Sequence, residues 1–421
     1  MANAFSREER VAFEELQEAF NDSMVISKNV SVYKTDQTMM ARTNDIVNLP
    51  MPYIARSFDG ADQTSNFKDQ TQLSVPATIG YYKSSPWKLT ALELRDNLRE
   101  GTLGKAARQK LASDINVAVM NVASLQGSLV VKRTAAASGF NDVAECEAMF
   151  NEQGIQQGDR YIALNTRDYN KMAGDLAGRG TLTGKPLTAY EKAYIGQVAS
   201  FEAYKMDYAY RLPAALGGAI TMSTLDAAVQ YYIPKATSTA STGEIGNVDN
   251  RKQLITVSST TNVAAGDCFT IAGVNAVHHI TKADTGQLKT FRVLAVNSGT
   301  TMTISPPIIS NQVAADASAQ YQNCVANTKS ATAAITWLNT TAAPINPFWH
   351  KDAISILPGR IEVPSDAGTN VMRGATDQGI EIVMQKFYDI KTSDILYRID
   401  TLFGVVNKQP EMSGIMLFGQ A

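Results

Sequence analysis

The clearest periodicity in the chain lies in KAARQKLASDINVAVMNVASLQG, where Ala107, Leu111, Ile115, Ala118, Val122 and Leu125 recur every three or four positions and Gly127 supplies a C-terminal stop. This spacing predicts an amphipathic helix over 105–126, roughly 33 Å long at 1.5 Å per residue, which is enough to serve as the spine of a domain. Upstream, ALELRDNLREG reads as a separate helical piece, because Gly101 and Gly104 each weaken a helix by ~1 kcal/mol relative to alanine. The two glycines are therefore hinge candidates. Near the start, Val11, Phe13, Leu16 and Phe20 share one side of a helix over 6–20, opened by Ser6 and Glu9 at capping-box spacing. Glu8, Glu14, Glu15 and Glu18 make its other face acidic.

The pattern changes between about 225 and 342, where Thr, Ser, Ala, Asn and Val dominate and helix formers thin out. There QLITVSS, DCFTIAG, KTFRVLAVN and TMTISPP are β-branched runs, and Asn297, Ser298 and Gly299 supply a hairpin turn between the last two. These signs predict a small antiparallel barrel or sandwich. Around it, helical stretches at 142–151, 166–177 and 188–197 alternate with short strands such as RYIAL, and a mixed core resumes at NPFWHKDAISIL. The fold class is α+β, with a β domain inserted into the host. The segment 55–85 is long and polar, with strand-like ends around a Gly- and Asp-rich middle. It reads as an extended hairpin reaching out from the body.

Bulk properties narrow the chemistry. The 421 residues, 44% apolar and 19% charged, leave room for two or three domains. A formal net charge of -2 gives no overall basic field to hold nucleic acid by counterion release. Cys146, Cys268 and Cys324 are odd in number and widely spaced with no CxxC, so neither a disulfide framework nor a zinc knuckle is suggested, and a reduced, cytoplasmic setting is the simpler reading. The charged start and the lack of an apolar run of ~18 residues predict a soluble, unexported protein.

The stretch GDCFTIAGVNAVHHITKADTG, 266–286, is the one place where Asp267, Cys268, His278 and His279 crowd together. Adjacent residues on a strand face opposite sides, so the two histidines could share a metal only across a local turn, and no second Cys or His pair completes a zinc set. The expectation is a buried Cys268 on a barrel strand, with the histidines at a loop edge. GDLAGRGTLTGKP, 174–186, imitates a phosphate loop but has one residue too few between Gly180 and Gly184, and Pro186 where the hydroxyl should stand. No catalytic or cofactor motif emerges.

The order of these parts, together with MARTNDIVNLPM at 40–51, the run from Leu94 to Val130, NVDNR at 247–251, GDCFTIAGV at 266–274, NPFWHKDAISIL at 346–357 and FGVVNKQPEMSGIML at 403–417, resembles the major coat protein of short-tailed phages of the Lederbergvirus type. Those proteins carry the Hong Kong 97-type capsid fold with an insertion domain. The resemblance implies a capsid core over 1–224 and 343–421, made of an N-terminal arm at 1–35, an extended loop at 56–84, a spine helix at 105–126 and A- and P-domain segments. Residues 225–342 would be the inserted barrel.

It further implies a virion protein, not an enzyme, that tiles an icosahedral shell as pentamers and hexamers and is assembled in the host cytoplasm. Its partners would be other copies of itself, a scaffolding protein and a portal protein. The shell would expand as double-stranded DNA is packaged, with no sequence-specific contact to that DNA, no cofactor, no metal and no membrane. On the same basis Glu14, Glu15 and Glu18 are candidates for docking a basic scaffold segment, and Gly101 and Gly104 for a hinge used in expansion. The loop at 236–247 matches one that touches neighbours across local two-fold axes; its charges are Glu244 and, just after it, Asp249 and Arg251, fewer than the family pattern leads one to expect. An encapsulin-like shell protein and an enzyme with an inserted β domain are the alternatives.

Overall fold

The computed structural model describes residues 13–14, 26–34, 46–51, 54–67, 70–90, 97–178, 185–206, 208, 210–223, 230–313, 315–326, 332–362 and 370–421. The chain forms two compact units. One comprises Met1–Val47, Ala77–Met120 and Ile354–Val406, the other Asn48–Pro76, Asn121–Ala353 and Asn407–Ala421.

In the first unit the dominant helix, α1 (Asn97–Gln126, shared with the second unit from Asn121), buries Ala107, Leu111, Ile115 and Val119 along one face. It is longer than its periodic stretch predicts and runs through Gly101 and Gly104 without a break, which corrects the reading of two separate helical pieces. Burial of that apolar face outweighs the ~1 kcal/mol lost at each glycine. The unit's sheet runs in the order Ser31–Val32, Ile354–Pro358, Asp394–Asn407, Glu381–Asp389, Val371–Ala375, and Tyr81–Thr90 also pairs with Asp394–Asn407. Only the Ser31–Val32 pairing is parallel among those whose register is resolved. Trp87 stacks on Tyr397 at 5.5 Å and Tyr81 on Phe403 at 5.2 Å, so aromatic pairs fix the register of the long ladder. Gly404 is required there, because a Cβ would collide with the Thr78 carbonyl.

The second unit holds a six-stranded sheet in the order Leu129–Lys132, Ser413–Leu417, Asn346–His350, Arg160–Asn165, Phe201–Met206, Gln197–Val198. Three helices accompany it: α2 (Phe140–Glu152), α3 (Thr166–Ala177) and α4 (Lys185–Lys192). Asn165 caps α3 by accepting from Arg167 N at 2.8 Å. The core closes around Phe150, Phe201 and Phe348, whose rings meet at 5.2 to 6.0 Å.

From this sheet domain the chain leaves and returns through a narrow ladder, Arg211–Leu212 against Ala343–Pro344. Between them lies the predicted barrel, with strands in the order Ile220–Thr221, Ala334–Trp337, Cys268–Val277, Asp284–Val296, Thr301–Ser305, Gln253–Thr256. Met222 bridges Val257, and Ser258 N donates to Thr221 O at 2.8 Å, which joins the first strand in this order to the last and closes the sheet. Inside are Ile255, Phe269, Ile271, Phe291, Val293, Met302 and Ile304, all essentially sealed from water. The four runs read as strands are strands, and the turn at Asn297 is held by Thr303 Oγ1 donating to Asn297 Oδ1 at 2.8 Å. The barrel's sheet takes in Ile220–Thr221, so it begins ahead of residue 225.

The long polar segment has strands at its ends: Ser74–Thr78 pairs with Ile46–Pro50, and Tyr81–Thr90 belongs to the sheet of the first unit. Its middle is irregular, with Asp62 accepting from Thr64 N at 3.1 Å in a local turn and Phe67 86% exposed. Within the second unit, Met51, Ile54 and Leu73 pack on Tyr232, Ile309 and Tyr321, and Tyr321 donates to Thr71 O at 2.7 Å. The root of the segment is thus seated on the barrel side.

Candidate functional site

The crowded stretch 266–286 comes apart in three dimensions. Cys268 opens a ten-residue strand and His278 follows its end, roughly 30 Å away along the strand. Asp267 is a turn post: its Oδ2 accepts from Ala264 N at 2.8 Å and its Oδ1 from Asn339 Nδ2 at 3.0 Å. Burial pushes the Cys268 thiol up to about 11, and Cys146 and Cys324, also buried, are raised further for the same reason. None is poised as a nucleophile. His278 Nδ1 accepts from Ile280 N and Thr281 N and so caps its own turn. Among the described residues no group of three or more His, Cys, Asp or Glu could hold a metal ion. The stretch 174–186 joins helix to helix, not strand to helix as a phosphate loop requires, and 179–184 lie outside the described residues.

What the stretch does instead is dock the barrel onto the sheet domain, together with the strand that follows it. On Asp284–Val296, Phe291 and Val293 point into the barrel core, while Thr290 Oγ1 donates to Ser128 O at 2.8 Å. Arg292 is fully buried; its Nη1 donates to Ser124 O and to Gly127 O, carbonyls at the end of α1. A guanidinium there satisfies orphan carbonyls and faces the negative end of the helix dipole. Lys289, buried on the same strand, pairs with Glu411. His279 N donates to Gln153 O at 3.0 Å at the end of α2, and the His278 ring lies over Gly154, where a Cβ would strike it. Because of these anchors, barrel and sheet domain fall within one compact unit.

The charges at this join are interdependent. Burial disfavours ionisation of Glu411, but Lys289, His279 and Lys282 outweigh it and hold the carboxyl below its ordinary value. Burial depresses His279, with Glu411 opposing and Lys289, Lys282 and His278 adding to the depression; its Nε2 is sealed from solvent and unpartnered. Lys282, which donates to Gln322 O at 2.9 Å, is lowered to about 8, chiefly by burial.

The sequence-derived candidates fall in different places. Asp249 and Arg251 are engaged within the chain: they pair at 2.8 Å, and Arg251 also donates to Asn407 O at 2.7 Å and to Pro76 O at 3.3 Å. Burial raises Asp249, yet Arg251 and Lys252 hold it below the usual carboxylate range. Neighbouring Asn250 ties Lys235 and Val248, so NVDNR is an internal knot. Glu244 stands exposed at the turn between Thr237–Thr239 and Ile245–Asn247. Glu14 is exposed and helical; Glu15 and Glu18 lie outside the described residues. Gly101 and Gly104 both lie inside α1. Lys289, Arg292 and Glu411 were not singled out in the sequence; a charged pair alternating with Phe291 and Val293 looks there like the wet side of a strand.

The polar groups thus hold turns, helix ends and the join, while large apolar side chains such as Phe67, Tyr190, Ile245, Ile280 and Ile390 stand open. Comparison with known proteins defines the class: this is a coat protein. The sequence profile of the P22 coat protein family (P22 coat protein, gene protein 5) matches residues 1–419, and the chain belongs to that family. It is the major capsid protein of an icosahedral phage head. Among solved structures, the CUS-3 coat protein I-domain is 46% identical over 29% of this chain and 97% of its own, with TM-score 0.22. Mycobacterium phage Che8 gives 8% identity over 93% of this chain and 90% of that one, with TM-score 0.45. A virus-like particle from Pyrococcus furiosus gives 10% identity over 96% and 98%, with TM-score 0.39.

Proposed function

We propose that this coat protein assembles in the host cytoplasm, around a scaffolding protein, into hexamers and pentamers of a precursor shell. That shell includes a portal protein and expands as it fills with double-stranded DNA. Its role is architectural, not enzymatic. The observation that carries this reading is the combination of family membership with open apolar side chains and a net charge of -2: such a surface associates with copies of itself yet does not adhere to the DNA it encloses. Three free, buried cysteines suit assembly in a reducing compartment. In this reading the inserted barrel steadies the subunit by clamping the end of α1, and Glu244 at its outer hairpin is the charge left to meet a neighbour, since Asp249 and Arg251 serve inside.

Expression of the chain with and without its scaffold gene, followed by negative-stain microscopy, tests the proposal. Closed shells that require the scaffold are expected; persistent monomers under both conditions contradict it. The acidic N-terminal face is tested separately: Glu14→Ala with Glu15→Ala should lower the yield of precursor shells, and a normal yield removes that surface from scaffold docking.

A further inference from the structure

We propose that an apolar pocket in the sheet domain is a binding site for a small uncharged aromatic molecule with one N–H donor, of the size of indole. The pocket holds about 210 Å³. Its walls come from five segments: Phe140 and Val143 of α2, Leu164 of the strand Arg160–Asn165, Met172 of α3, Ile195, and Ala203 of the strand Phe201–Met206. All of these except Phe140 are buried, so the cavity is a gap in the domain's own packing. Apolar walls that face empty space forfeit dispersion contacts, and a guest of matching shape recovers them. An apolar cavity of ~150 Å³ takes up benzene, so this larger one accommodates a bicyclic ring.

The lining sets the chemistry of the guest. Phe140, 48% exposed, stands at the pocket with a ring to stack against, and the Met172 thioether adds a sulfur–aromatic contact, so a flat π system is favoured over an alkyl chain. Asp175 is the one charged group among the described residues that line the pocket, and it excludes a carboxylate. Exposed Lys171, one turn earlier on α3, offsets the attraction that Asp175 would offer a cation. Asp175 and Gln197 carry acceptor oxygens suited to a single N–H on the ring. The backbone of the wall is itself strained. Ala199, which lines the pocket, and Ser200 turn the hairpin between Gln197–Val198 and Phe201–Met206 at φ of +43° and +62°, where glycine or asparagine would be relaxed. Strain of this kind gathers at ligand clamps.

Free subunits of the full chain, labelled with carbon-13 at the methionine methyls and titrated with indole, test this by NMR. The Met172 methyl, assigned from the Met172→Leu variant, should shift with half-saturation on the order of 1 mM, while Met302 in the barrel core stays fixed. Benzoate, a charged ring, should leave Met172 unmoved. Ala203→Leu fills the pocket and should weaken uptake at least ~tenfold; if that variant does not fold, Ala203→Val takes its place. No Met172 shift up to the solubility limit of indole, equal shifts of Met172 and Met302, equal response to benzoate, or undiminished uptake by the filled variant overturns the proposal. So does a Met172 shift that follows subunit concentration without indole, which would place a second copy's side chain in the pocket. Shell formation plays no part in this measurement, so the failure of this site and the failure of the assembly reading are distinguishable.

Discussion

The inserted barrel and the sheet of the first unit are made of similar strands but finish differently. The barrel joins its first strand to its last through Met222 and Val257, so its apolar side chains face inward on a closed core. Among the described residues the other sheet stays open: Tyr81–Thr90 is paired on one side by Asp394–Asn407, and Phe387, 57% exposed, stands out of it with Tyr82 and Leu396. Closure leaves no edge to satisfy, whereas an open edge strand with exposed aromatic residues is complete only when something covers it. One region is finished within the subunit; the other, in the proposed assembly, is the one a neighbour would cover.

Substitutions should separate the two regions by size of effect. In the barrel, Phe291→Ala should cost ~3–5 kcal/mol of subunit stability by opening a cavity, read from urea unfolding of the full chain. Breaking the join with Glu411→Ala should cost a similar ~3–5 kcal/mol, because it leaves Lys289 buried without its counter-charge. Arg292→Met, which uncaps the end of α1, should cost ~1.5–3 kcal/mol. On the open sheet, Phe387→Ala should change subunit stability by no more than ~0.5 kcal/mol while reducing shell yield. If the barrel and sheet variants proved equally disruptive to the free subunit, the contrast would fail.

The join should also respond to pH in one direction. His279 and Glu411 both bind protons less readily in the folded chain than their ordinary 6.5 and 4.5, so the unfolded chain takes up protons first as pH falls. Stability should therefore decline below pH 6.5 as His279 titrates and again below 4.5 as Glu411 does. Lys282, lowered to about 8 from 10.5, adds stability as pH rises between those values. His279→Gln should flatten the first decline, measured as melting temperature against pH; an unaltered profile would show that the acid sensitivity lies elsewhere. Gly104→Ala, in an unbroken helix, should act in the opposite direction and stabilise the subunit by up to ~1 kcal/mol. If Gly104 also serves as a hinge in expansion, precursor shells of the same variant should form yet mature poorly, and unchanged expansion would count against that role.

The barrel was legible in the sequence because its strands are local: β-branched runs, a turn at Asn297 and a shift in composition each leave a mark within a few residues. The spine was legible over 105–126 but not over 97–104, since propensity registers Gly101 and Gly104 and cannot register the packing that overrides them. The join was invisible for a different reason. Lys289 and Glu411 lie 122 positions apart, and the sequence KTFRV reads as a half-exposed strand, although the structure buries both of its faces, one in the barrel and one on the sheet domain. Asp249 and Arg251, candidates for a contact with a neighbour, pair with each other, and Arg251 donates to Asn407 O within the chain, a link across 156 positions that the sequence does not display.

Hydrogen exchange followed by mass spectrometry, on free subunits and on assembled shells, bears most directly on the central contrast. Amides of Cys268–Val277 and Asp284–Val296 should be equally protected in both, because the barrel is complete in the subunit, while Tyr81–Thr90 should gain protection on assembly. Barrel amides that become protected only in the shell, with Tyr81–Thr90 unchanged, would contradict the account.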